Sequence, residues 1–186
     1  MRKISVFNSI SLDGYFTDAN NDMSWAHVGG DDAEFAAFTS GNASGEGALL
    51  FGRVTYQMMA SFWPSPQAAQ MMPEVAAGMN RMQKIVFSRT LGRADWSNTR
   101  LITNDAVAAT HGLKAESGPD IVILGSGKIV AQLAQAKLID GYQFVIVPVV
   151  LGAGRSLFEG VDRAALKLTE SRAFKNGKIV ASYVPT

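Results

Sequence analysis

The sequence predicts an α/β domain, a three-layer αβα sandwich around a mixed, mostly parallel sheet. Short apolar runs with strand character alternate with helix-patterned segments of roughly ten residues, an order that builds right-handed crossovers between parallel strands. The run DIVIL at 120–124 is almost wholly apolar, as a strand covered by helices on both faces must be. At the C-terminal end, KLTESRAF and KIVASYVP are joined through Asn176-Gly177, a strong hairpin signal that adds antiparallel strands.

Each element follows from its own pattern. Residues 3–12 read as the first strand, because Ile4, Val6, Ile10 and Leu12 share a face, with polar Asn8 among them. Residues 31–39 (DDAEFAAFT) read as a short helix that Asp31 or Asp32 can cap, with Phe35 and Phe38 on one side. Residues 48–51 form a short buried strand, and a helix is expected from about 53 to 61. The stretch WPSPQAAQMMP, with its three prolines, predicts an irregular excursion containing about one helical turn. A strand at 84–88 and a weaker one at 99–103 come next, then a helix from Asn104 or Asp105 through His111. After the 120–124 strand, Ser126 or Gly127 opens a helix with Ile129, Val130, Leu133 and Leu138 inward. Residues 142–150 are another buried strand, and the hairpin ends the chain. No repeat or linker interrupts the 186 residues, which are expected to form a single domain, 1–186.

Composition narrows the function. Hydrophobic residues make up 47% and charged residues 18%, enough apolar material for a continuous core. A formal charge of +1 gives no basic face for nucleic acid and no polybasic membrane anchor. With no cysteine, disulfides, thiolate metal sites and cysteine nucleophiles are excluded. The two histidines, His27 and His111, have no metal-binding spacing, so no metal is expected. Asn8, Ser9 and Ser11 interrupt the first apolar stretch, against a signal peptide. The longest apolar run, 144–151, is broken by Pro148 and falls far short of the ~20 residues that span a bilayer. A soluble, cytoplasmic protein is expected.

Ligands of open α/β sheets bind beyond the carboxyl ends of the strands. Three such ends carry related residues: Gly52-Arg53-Val54-Thr55, Ser88-Arg89-Thr90 and Gly125-Ser126-Gly127-Lys128. Each supplies small residues or hydroxyls and a cation where backbone N–H groups become free, and two precede helices whose dipoles favour phosphate. Singly, each reads equally well as a turn with a solvated cation; together they suggest a ligand bearing several phosphates. Val130 stands where the dinucleotide fingerprint has its third glycine, and GSGKI lacks the loop of an ATPase. Ser126 is in no nucleophile elbow. Asp13, before Gly14, and Asp31 are the candidate carboxylates, each also readable as a turn or cap residue. Met58, Met59, Phe62 and Trp63 suit either core filling or an adaptable apolar contact.

The series SISLDGYF, MSWAHV, DDAEF, LLFGRVTY, KIVFSRT, VILGSGKIVAQL and VIVPVVLGAGRSLF resembles the dihydrofolate reductase superfamily. It is more similar still to the reductase domain of the bifunctional riboflavin-biosynthesis deaminase–reductase, without the deaminase ligands. The resemblance implies NADPH as cofactor. It implies that Gly52, Arg53 and Thr55 cradle the pyrophosphate, that Ser88, Arg89 and Thr90 receive the adenosine ribose and its 2′-phosphate, and that Gly125, Ser126, Gly127, Lys128 and Ile129 support the pyrophosphate. Ser9, Phe16 and Trp25 are implied at the nicotinamide. Asp31 and Asp13 are implied as catalytic or substrate-side carboxylates, with Gly152, Gly154 and Arg155 lining the substrate side. A cis peptide between Gly125 and Ser126 would also follow, although serine in place of the usual second glycine weighs against it, since a non-proline cis bond costs ~3 kcal/mol. The implied activity is hydride transfer to a small heterocycle, as in 5-amino-6-(5-phosphoribosylamino)uracil reduction. The alternatives are a dihydrofolate or pteridine reductase, or a non-catalytic nucleotide-binding protein. A homodimer and a small-molecule substrate are the expected partners. A cleft carboxylate of raised pKa, or a water it orders, would supply the proton.

Overall fold

Eight strands form one sheet in the computed structural model, which describes residues 1–43 and 46–186. In chain order the elements are β1 (Ile4–Ser11), β2 (Tyr15–Asp18), a 3₁₀ turn (Ser24–His27), α1 (Ala33–Asn42), β3 (Ala48–Gly52), α2 (Arg53–Phe62), α3 (Pro66–Met71), α4 (Pro73–Arg81), β4 (Gln83–Phe87), β5 (Thr99–Ile102), α5 (Ala106–Ala115), β6 (Ile121–Leu124), α6 (Gly127–Gln135), β7 (Gly141–Val147), β8 (Gly154–Ser156), β9 (Leu166–Ala173) and β10 (Ile179–Pro185). The strand order is β5-β4-β3-β6-β1-β7-β10-β9. The first six run parallel; β10 pairs antiparallel with β7, and β9 antiparallel with β10. The α/β architecture with a mixed, mostly parallel sheet and a C-terminal hairpin is therefore the one the chain adopts.

One face of the sheet is covered over its central strands, while edge strand β9 is exposed along its length. Ile4, Val6, Leu50, Ile85 and Ile123 pack there against Leu113 of α5 and Val130 and Leu133 of α6. Each such buried aliphatic side chain contributes about 1.5–3 kcal/mol. The other face is covered in two blocks. Tyr56 of α2 and Met79 of α4, with Trp96, cover Leu49, Phe51 and Val86 on β3 and β4. Trp25, Phe35 and Phe38, from the 3₁₀ turn and α1, cover Val145, Val147 and Val180 on β7 and β10.

Between those blocks lie the two central strands. Ile4, Val6, Asn8, Ile121 and Ile123 are buried toward the α5/α6 layer, yet Ser5, Phe7, Ser9, Val122 and Leu124, which alternate with them, are only half-buried. Strands with neighbours on both sides can gain this exposure only through the face. The fold thus leaves a furrow over β1 and β6, walled by α1 and α2.

The structure corrects several expectations. WPSPQAAQMMP is not irregular: Pro66 and Pro73 each start a helix, α3 and α4, with Ser65 capping the first through the Ala68 N–H. Proline fits the first helical turn, where its missing N–H has no partner to lose. Leu138 is buried but lies beyond the end of α6, and β7 stops at Val147 before Pro148. Asp32, not Asp31, caps α1. The small sheet of β2 and β8 is unanticipated. Among the described residues there is no cis peptide bond; Gly125 and Ser126 instead both adopt left-handed backbone, with φ of 59° and 63°. No helix is long and apolar enough to cross a membrane.

Lys84 of β4 is fully buried. Its Nζ donates to the carbonyls of Met79 (3.0 Å) and Asn80 (2.8 Å) near the end of α4, and lies 4.5 Å from the Trp96 ring. Burial pulls its pKa down to about 8.

Candidate active site

The strand order places β4, β3 and β6 side by side, so the loops that follow them emerge as neighbours. Two are hydrogen bonded directly. The Gly52 N–H donates to Ser126 Oγ at 2.7 Å, and Ser126 Oγ lies 3.1 Å from Thr55 Oγ1, to which it donates. The third loop leaves β4 at Phe87, the parallel partner of Gly52. There Ser88 Oγ accepts the N–H groups of Thr90 (3.2 Å) and Leu91 (2.9 Å), which shapes the turn that carries exposed Arg89.

Helix capping marks this corner, although α4, whose N-cap is Met72, also lacks a side-chain cap. Asp32, Ser65 and Asp105 cap α1, α3 and α5 with their own side chains. The N-caps of α2 and α6, Gly52 and Ser126, make no such bond. No cap side chain occupies the first-turn N–H groups of these two helices; the Ile129 N–H donates to the Ser126 carbonyl at 2.8 Å, and the remaining donors, with the aligned dipoles, favour an anion there. Arg53 and Lys128 are exposed beside them, Arg53 touching Gln57 at 2.9 Å.

Two further contacts hold the corner. Buried Asn8 of β1 accepts the Gly125 N–H through Oδ1 at 2.9 Å and donates to the Gly125 carbonyl through Nδ2 at 3.3 Å. Phe16 of β2 packs so closely on Gly127 that a Cβ there would lie 2.5 Å from its ring. Half-buried Ile129 lies on the α6 side of Gly52. Ser9 lies on the furrow face of β1 and is half-buried.

The substrate-side residues form a second group. Asp13 accepts hydrogen bonds from Ser11 Oγ (2.6 Å), the Leu151 N–H (3.1 Å) and the Gly152 N–H (2.7 Å), tying the β1–β2 turn to the loop after β7. The Ser11 hydroxyl above all, with those amides, holds its pKa below the usual carboxylate value. These donors favour the ionised carboxylate, so Asp13 suits a positioning role or the ordering of a water. Gly154 lets β8 pair with β2, because a Cβ there would lie 2.1 Å from the Thr17 carbonyl oxygen. Arg155 is half-buried, with Nη1 3.3 Å from Asn21 Oδ1 and its guanidinium 5.9 Å from the Phe16 ring centroid.

Asp31 is exposed next to the cap residue Asp32, whose carboxylate accepts from the Glu34, Phe35 and Asn176 N–H groups. Trp25 is buried in the apolar cluster over β7 and β10, and its indole N–H donates to the Asp22 carbonyl. Trp25 is thus 8% exposed and packed within that cluster.

Asn8, the principal residue the expectations omit, carries a signal in the sequence: a lone amide on an otherwise apolar strand face needs a partner when buried. Two shallow depressions lie elsewhere, one of about 370 Å³ between α5 and α6 and one of about 600 Å³ at the amino ends of β4 and β5. Neither touches the freed N–H groups, so the strand ends and the furrow are the better candidate site. Among the described residues, no cluster of histidine, aspartate and glutamate could hold a metal.

A family model described as the RibD C-terminal domain matches residues 2–180. The uncharacterized protein YyaP of Bacillus subtilis (strain 168) is 27% identical over 184 residues, covering 98% of this chain and 94% of that one. A provisionally named riboflavin biosynthesis protein from Shewanella sp. PV-4 has a crystal structure that superposes with a TM-score of 0.73 at 22% identity, covering 99% of each chain. A dihydrofolate reductase from Enterococcus faecalis, solved in complex with NADP(H), superposes with a TM-score of 0.65 at 11% identity, covering 99% of this chain and 96% of that one.

Proposed function

The chain belongs to the RibD C-terminal domain family, and on that premise we propose that it is an NADPH-dependent reductase of a planar nitrogen heterocycle. The observation that carries this reading is the corner where the Gly52 N–H, Thr55 and Ser126 interlock beside two helix N-termini without side-chain caps. A pyrophosphate fits this chemistry: it needs several backbone donors, nearby cations and no competing carboxylate. Arg53, Gly52 and Thr55 on one side, and Gly125 to Ile129 on the other, would hold it. Arg89, with Ser88 and Thr90, would take the 2′-phosphate, since a guanidinium matches a phosphate with paired N–H groups.

When bound, NADPH supplies the hydride. The chain's own residues orient and enclose. Asn8 fixes the Gly125 peptide, Phe16 closes the α6 end against water, and Ser9 faces the furrow from β1. Of Asp13, Asp31 and Asp32, the first and the last are each occupied by three donors. Asp31 is then the one free to order the water that delivers a proton to the reduced substrate. A homodimer is part of the same reading, and sedimentation velocity tests it.

The experiment is a fluorescence titration of purified protein with NADPH and NADH, followed by loss of reduced-cofactor absorbance with pterins and aminouracils. Saturable binding that favours NADPH is expected. Absence of binding by either nucleotide would overturn the reading.

A further inference from the structure

The furrow over β1 and β6 has a composition unlike that of the cofactor corner. Its floor is Ser5, Phe7, Ser9, Val122 and Leu124. On α2, Thr55 faces the Gly125–Ser126 turn, and Met58 and Phe62, three and seven residues on, continue that stripe along the furrow wall. Met58 is a large apolar side chain that is 53% exposed. Neither α1 nor the part of α2 beyond Arg53 contains a lysine or arginine.

The mouth is acidic. From residue 13 to residue 34 the chain carries Asp13, Asp18, Asp22, Asp31, Asp32 and Glu34 but no lysine or arginine. This segment runs from the end of β1 through β2 and the 3₁₀ turn to the first turn of α1. Of the cations that approach it, Arg172 pairs with Glu34, Lys178 lies over the Phe35 ring, and Arg155, beside β2, donates to the neutral Asn21 amide near Phe16. Cations at the strand ends, Arg53, Arg89 and Lys128, lie on the cofactor side.

A phosphate monoester entering the furrow would lose water, gain no counter-charge from the α1 and α2 walls and approach the carboxylates of residues 13–34. Burying an unpaired charge is costly, and like charges at a mouth reject the wrong ligand. An uncharged flat ring would instead lay its faces on Phe7, Leu124 and Met58 and offer N–H groups to the acidic rim. We infer that the furrow takes an uncharged, planar nitrogen heterocycle and discriminates against phosphorylated counterparts of the same ring. This inference rests on the NADPH-reductase reading and narrows its substrate class.

The test compares a ribosylaminouracil with its 5′-phosphate, by calorimetric titration into protein saturated with NADPH. NADPH binding is measured first and separately; if it fails, the reductase reading falls, and with it the premise of the test. With NADPH bound, the unphosphorylated compound is expected to bind at least about tenfold more tightly. Met58→Lys, at an exposed position, should narrow or reverse that ratio by placing a cation on the wall, with NADPH affinity as the control. Equal or tighter binding of the phosphate to the unsubstituted protein would overturn the inference. So would a ratio unmoved by M58K, or binding of neither compound at about 1 mM.

Discussion

The bond between Asn8 and the Gly125 peptide gives the sharpest single test of how the sheet positions the cofactor corner. Asn8 is 4% exposed and meets both backbone polar groups of Gly125, one in each of its flanking peptides. Two consecutive left-handed residues follow, one of them serine, a conformation that costs a non-glycine residue roughly 1–2 kcal/mol. Asn8→Leu removes both hydrogen bonds and leaves the Gly125 groups poorly paired. At about 0.5–1.5 kcal/mol per bond, plus desolvation of what is orphaned, the loss should be about 2–4 kcal/mol. Asn8→Asp is the more informative change. It keeps the acceptor for the Gly125 N–H but sets a carboxylate oxygen against the Gly125 carbonyl, where the amide stood at 3.3 Å. Burial and that carbonyl both raise the carboxyl pKa in the folded state, and the protonated acid can donate as the amide did. A group whose folded pKa is raised gives stability that is full below its unfolded pKa and is lost as pH rises through the folded one. The N8D protein should therefore be nearly as stable as the parent in mild acid and lose stability toward pH 8, while N8L stays uniformly weakened. Urea denaturation across that range, with NADPH titration at each pH, reads both effects. Parent-like NADPH affinity and a flat pH profile in N8D would refute the reasoning.

Other outcomes follow from the same structure. Lys84, depressed to about 8 from 10.5, is protonated below pH 8 in both states, whereas between about pH 8 and 10.5 the unfolded chain binds more protons. Stability should therefore rise with pH over that window, and Lys84→Met should abolish the rise in urea denaturation. Arg89→Ala should weaken NADPH by about 10- to 100-fold, as loss of a charge-assisted phosphate pair does, and leave NADH within about twofold. For Asp13, held below the ordinary 3.8 chiefly by Ser11, the stabilisation is present above that value and lost as pH falls through the depressed one. Asp13→Asn should therefore show a shallower acid loss of stability, and proteolysis should find the 149–155 loop more open.

The fold was legible where burial imposes a period. The runs at 84–88 and 120–124 appear as β4 and β6 within a residue or two, because central strands with a buried face tolerate little but apolar residues. Elements held by tertiary contact were not legible. β2 and β8 are four and three residues long, too short for a pattern, and exist because Gly154 lets two loops meet. The prolines at 66 and 73 read as breaks because a sequence shows the residue but not which end of a helix it occupies. At the site, the glycine, serine and arginine endings announced themselves as turns; their convergence depends on a strand order that skips from β3 to β6, and no local pattern encodes that. Asp13 shows the opposite limit. Its position beyond β1 was readable, but its three hydrogen-bond donors come partly from residues 151 and 152, so its charge state was not.

The most direct measurement is a crystal structure of the protein grown or soaked with NADPH. The account predicts one cofactor spanning the three loops, with pyrophosphate oxygens on the first-turn N–H groups of α2 and α6, the 2′-phosphate against Arg89, and the nicotinamide over the furrow beside Ser9. A cofactor bound at the amino ends of β4 and β5, or one leaving Arg89 and the Gly125–Lys128 turn untouched, would contradict it.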